Sequence, residues 1–239
     1  MKKSTAQNIV IIAGAVIMLI PVILRIAELT DDVDSIPVIF SIGGGFMVLG
    51  LIWRAVTKEK ESAQIIETQY QLLAQKLGLS FLMPQTGHPH PKLDGNIEGF
   101  LVLCDIYNKG VGRSYLPYTR FDIQVNNPNL LSFQLYPQNF LGKMGKRLGG
   151  QDIEIGNPVF DDQFIVKSND ENFIKNLLSS PICHALAKDW RCNGHIFLEK
   201  NTIGFQMPNA IRDDEHRQKF EKMVSLLFML AKRMKSLET

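Results

Sequence analysis

Two long uncharged stretches near the start of the chain constrain it more than anything that follows. Ile9 to Leu24 (IVIIAGAVIMLIPVIL) carries no ionisable residue, and extending it past Arg25 to Ile26 gives 18 residues. Ile36 to Trp53 (IPVIFSIGGGFMVLGLIW) is a second uncharged run of 18. As helices, each reaches roughly 27 Å, enough for the hydrocarbon core of a bilayer. No run after Trp53 approaches that length without a charge. The sequence therefore predicts a transmembrane hairpin over residues 1–56. A cleaved leader is the alternative for the first run, since Lys2 and Lys3 precede it. Arg25 and Glu28 stand where small residues would mark cleavage, which favours a retained span.

Orientation follows from the basic residues. Lys2 and Lys3 flank the first span, and Arg54, Lys58 and Lys60 follow the second. The connecting loop holds Arg25 against Glu28, Asp31, Asp32 and Asp34. Lysine and arginine collect on the cytoplasmic side, so both termini are expected there, in a multi-pass protein of the inner (plasma) membrane. Ser41, Gly43, Gly44, Gly45 and Gly50 offer small surfaces for close helix packing. Neither span holds an ionisable group in its core, so an anchor or assembly surface is expected before an ion path.

Beyond the hairpin the charges nearly balance, which gives no basis for nucleic-acid binding. The three cysteines, Cys104, Cys183 and Cys192, form no disulfide framework. Residues 57–80 read as a juxtamembrane helix with Ile65, Ile66, Leu72, Leu73 and Leu77 as its apolar stripe and Gly78 as its stop. Strands are expected over Asn96–Tyr107, Tyr118–Val125, Leu131–Tyr136, Asp152–Ile155 and Phe164–Lys167. Ser168 through Glu171 reads as a capping box, with Ser168 as the cap of a helix to Leu178. A second helix follows from Pro181, then a hairpin over His195–Leu198 and Thr202–Met207, then a helix over Asp213–Leu237. The expected class for residues 81–239 is α+β, a mainly antiparallel sheet packed by helices.

The candidate sites are few. Cys183, His184, Cys192 and His195 are zinc-type ligands, but only Cys192 and His195 have ligand spacing, so no metal site is assigned. His88 and His90 alternate with prolines and read as an exposed loop. Adjacent Asp161 and Asp162 cannot converge on one substrate and read as a turn. Lys143, Lys146 and Arg147, among Gly142, Gly145, Gly149 and Gly150, have the charge and free amides to hold a phosphate or an anionic lipid headgroup. The Walker spacing is absent, as are the familiar hydrolase, zinc-protease and dinucleotide motifs.

The run Asp152 to Gly156, then Phe160 to Asp170, then Leu177-Leu178 gives the pattern IG…FDxxFxVxSxD…LL. With two preceding spans, it resembles a family of uncharacterised prokaryotic two-span membrane proteins. The resemblance implies the anchor and the domain, and brings no activity, cofactor or catalytic residue. Phe160, Phe164 and Val166 are expected in the core. The sequence is read as an integral membrane protein whose cytoplasmic domain binds or interacts without catalysis. Its expected partners are the lipid bilayer and a second copy or another membrane protein. A membrane-bound enzyme of unfamiliar kind, or an assembly component of a membrane complex, are the alternatives.

Overall fold

The structure is a computed structural model that describes residues 36–85, 89–111, 114–138, 152–190 and 192–237. The first expected span and the basic loop with Lys143, Lys146 and Arg147 lie outside the described residues. The chain divides into two compact units, Met1–Lys60 and Glu61–Thr239. Helix α1 runs Ile36–Leu77. Among the residues described with their side chains, from Gly50 onward, no helix is long and apolar enough to cross a membrane.

The second unit is α+β. Eight strands form one antiparallel sheet: β1 (Ser80–Leu82), β2 (Lys92–Ile97), β3 (Phe100–Val111), β4 (Ser114–Gln124), β5 (Phe133–Pro137), β6 (Phe164–Ser168), β7 (His195–Glu199) and β8 (Thr202–Pro208). Their spatial order is β1-β2-β3-β4-β8-β7-β5-β6. Its other described helices are α2 (Pro158–Asp161), α3 (Glu171–Leu177), α4 (Ser180–Asp189) and α5 (Asp214–Leu237).

One face of the sheet is the core. Alternate residues Val102, Cys104 and Ile106 of β3 lie beside Phe121 and Ile123 of β4, then Ile203 and Phe205 of β8, then Ile196 and Leu198 of β7. All are buried. Helix α5 lays Phe220, Met223, Val224, Leu227, Leu230, Ala231 and Met234 against them, as its 3.6-residue apolar spacing predicts. Edge-to-face rings knit the layers: Phe121 meets Phe220 and Phe228, and Trp190 meets Phe164 and Phe205. Leu226 and Phe228 widen the buried stripe of α5, whereas Met229 is exposed.

Ile66, Tyr70, Leu73 and Ala74 of α1 are buried within the second unit. Tyr70 and Thr119 are fully buried, with their oxygens 2.9 Å apart. Thr119 spends its own proton on the Asn209 carbonyl, so the Tyr70 hydroxyl is the donor to Thr119. Gly78 then stops the helix: its φ is +68°, and Leu79 N–H reaches back to the Ala74 carbonyl at 2.9 Å.

Three local expectations are corrected. Asn96–Tyr107 is not one strand. A two-residue turn at Glu98 (φ 51°) and Gly99 (φ 87°) folds β2 onto β3, with Ile97 paired to Phe100. Asp152–Ile155 is not a strand. Ile153 N–H does bond to Val166 of β6, but Asp161 captures the next amides, Ile155 and Gly156, at 3.0 and 2.9 Å. Ser168 does not cap α3, because it is still in β6, paired with Phe133. Asp170 is the cap, accepting from Phe173 N–H at 2.8 Å. Phe160, Phe164 and Val166 are buried as expected.

Candidate functional site: the polar cluster on the open face of the sheet

The other face of the sheet carries no helix among the described residues, since the described helices pack on the side of Phe121 and Phe205. Its side chains follow from pairing. Asp105 on β3 lies opposite Arg120 on β4, which lies opposite Gln206 on β8, which lies opposite His195 on β7. Tyr136, one residue past the paired Leu135 of β5, extends that row. A second row places Asp122 beside Gly204, and Gly204 beside Phe197. Tyr107 and Tyr118 pair at the upper side, with ring centroids 6.0 Å apart.

The row is held by specific bonds. Arg120 forks onto Asp105, Nε to Oδ1 at 3.0 Å and Nη2 to Oδ2 at 2.7 Å. The same Nε stands 3.3 Å from Asp122 Oδ2. The guanidinium also lies over the Tyr107 ring, 5.1 Å from its centroid. Tyr107 donates to Gln206 Oε1. Lys109 covers the Tyr118 ring at 5.5 Å.

Burial sets the protonation of these groups. It pushes the Tyr107 phenol up to about 12, with Arg120 opposing. It pushes Asp122 up to about 6, again against Arg120, and the Asp105 charge adds to the rise. His195 is driven down to about 4 by burial and then by the Lys109 charge, so its ring is neutral at pH 7. The face thus presents a fixed guanidinium, two carboxylates and neutral donors among aromatic rings. Among the described residues of this face no nucleophile is joined to a base.

The zinc-type residues do not converge. Cys183 is buried and its thiol donates to the Leu178 carbonyl at 3.1 Å, while His184 is exposed on the same helix. Burial lifts the thiols of Cys183 and Cys192 to about 11, and such thiols neither attack nor bind metal readily. No group of three metal-ligating side chains occurs among the described residues. His90 lines a cleft of about 400 Å³ with Met83, Lys92 and Asp105. Two further clefts, about 430 and 410 Å³, meet at Cys192 and Asn193.

Sequence reading missed Arg120, Asp105, Asp122, Tyr107 and Gln206. The signal was present for the first pair. The register that pairs Val111 with Ser114 places Asp105 directly opposite Arg120, and opposite charges at paired strand positions attract. Gln206 and His195 join only through the β4–β8 pairing, which nothing local announces.

Fold and site together describe an α+β domain built on one large antiparallel sheet, helices on one face and a polar cluster on the other. No protein-family description and no curated protein matches the sequence. Among solved structures the chain is similar to the crystal structure of the mycobacterial trehalose monomycolate transport factor A, TtfA. The alignment covers 71% of this chain and 94% of that one, at 11% identity and a TM-score of 0.50. At that identity the likeness is one of fold.

Proposed function

We propose that this chain is a two-span membrane protein whose cytoplasmic domain binds a partner through the open face of its sheet and does not catalyse a reaction. The single observation carrying the binding role is the Asp105–Arg120 fork over Tyr107, built on strands and without a covering helix among the described residues. Charged forks beside aromatic rings recur at the energetic centres of interfaces. The anchor rests on the apolar runs 9–26 and 36–53 and their basic flanks. TtfA is by its title a transport factor. A role of that kind agrees with a face on which, among the described residues, no nucleophile is joined to a base. Lys143, Lys146 and Arg147 serve in this reading as a contact for anionic headgroups.

Two measurements test the proposal on the full chain. A reporter that works only in the cytoplasm, fused after Thr239, is expected to be active, and the protein is expected to stay in membranes through alkaline extraction. An inactive fusion overturns the topology. A photoreactive residue replacing Leu116, exposed on the open face, is expected to give one discrete cross-linked product in cells. The same residue at Lys222 on α5 is expected to give none. Equal labelling from both positions, or from neither, removes the open face as the binding surface.

A further inference from the structure

One guanidinium on the open face serves two carboxylates, and serves them unequally. Asp105 takes both Nε and Nη2 of Arg120, whereas Asp122 is left 3.3 Å from Nε. Asp122 is 8% exposed, and its Oδ1 is buried without a hydrogen-bond partner among the described residues. That oxygen rests over Gly204, where a Cβ would come within 2.6 Å of it, and the Phe197 ring closes over the same glycine. The cluster therefore holds one cation, one well-served anion and one poorly served anion against an aromatic edge. Two carboxylates competing for one cation favour a proton on the one with fewer bonds.

We propose that Asp122 is a reversible proton-binding site, so that mild acid converts the Asp105–Arg120–Asp122 cluster from net negative to neutral and gives the open face two charge states. The groups around it leave this change uncompensated. From β3 come Asp105 and Tyr107, and Tyr107 keeps its proton up to about 12. From β4 comes Arg120, which stays charged. The neighbouring β8 residues Thr202, Gly204 and Gln206 do not ionise. From β7, His195 stays neutral down to about 4, and Glu199 is exposed. Asp122 itself is held up at about 6. The proposal concerns the cluster alone and stands whether or not the face takes a partner.

The test is infrared difference spectroscopy of the full chain in lipid or detergent, carrying isotope-labelled aspartate, between about pH 7.5 and about pH 4.5. A labelled carboxylic-acid C=O component with its midpoint near pH 6 is expected, distinct from the rise of ordinary aspartates that begins below about pH 5. Asp122→Asn is expected to abolish that component. Asp105→Asn is expected to keep the component and move its midpoint down by roughly one unit, because Arg120 then turns wholly to Asp122. A component near pH 6 that survives Asp122→Asn overturns the assignment. So does the absence of any such component in the wild-type chain. An unmoved midpoint in Asp105→Asn overturns the shared guanidinium.

Discussion

His195 and Asp122 answer acid with opposite signs. His195 is held down to about 4, so between about 4 and 6.5 the unfolded chain binds the extra proton, and this residue's contribution is lost as pH falls. Asp122 is held up at about 6, so between about 4 and 6 the folded chain binds the extra proton, and its contribution grows as pH falls. In the wild-type chain the two slopes oppose each other. We expect His195→Gln to make the domain gain stability on acidification from pH 6.5 to pH 4.5, and Asp122→Asn to make it lose stability. Each divergence from wild type should reach about 2 kcal/mol in chemical denaturation series run across that range. Parallel curves for all three proteins would refute both assignments. Gly204 is a stricter case. A methyl there meets the Phe197 ring and Asp122 Oδ1, so Gly204→Ala should cost about 2 kcal/mol, read as a drop in denaturation midpoint.

At the scale of elements, the bond between α1 and β4 decides how firmly that helix is seated. Tyr70→Phe removes one donor and leaves Thr119 still bonded to Asn209, at an expected cost of about 1 kcal/mol. Thr119→Val leaves the Tyr70 hydroxyl without its acceptor in the interior and also removes the bond to the carbonyl of exposed Asn209, and should cost about 2 kcal/mol. Equal losses in a denaturation series would mean that the donor direction is reversed. Elements were legible where one local signal dominated. The stripe from Phe220 to Met234 sufficed for α5, and Gly78 for the end of α1. They were misread where two signals overlapped. Ser168 and Asp170 both suit a cap, and only the pairing of Ser168 with Phe133 awards the role to Asp170. Glu98-Gly99 lacks the usual asparagine or aspartate of a tight hairpin turn, so β2 and β3 read as one strand. The alternation of Phe121 and Ile123 with Arg120 and Asp122 was visible, but alternation says which residues share a face and not what they meet there.

For the whole molecule, the class and the helix-covered sheet could be read from the order of apolar patterns, while the strand order could not. β4 joins β8, with β5, β6, β7 and the three helices α2, α3 and α4 lying between them in the chain. That pairing has a consequence for how the protein is made. Among the described strands, the hairpin β7–β8 alone bridges the sheet's first half, β1 to β4, and its second, β5 and β6. Until residue 208 has left the ribosome, β4 and β5 each present an open row of peptide groups with no neighbour to take them. Long-range pairing of this kind is also slow to form. Nascent chains arrested before His195 should be degraded by a light protease pulse, and chains arrested well beyond Thr239 should yield a resistant fragment. Resistance already present before His195 would show that the first four strands stand alone. The finished fold thus sets a period during synthesis when the growing domain is most open to capture by a chaperone or by another copy of itself.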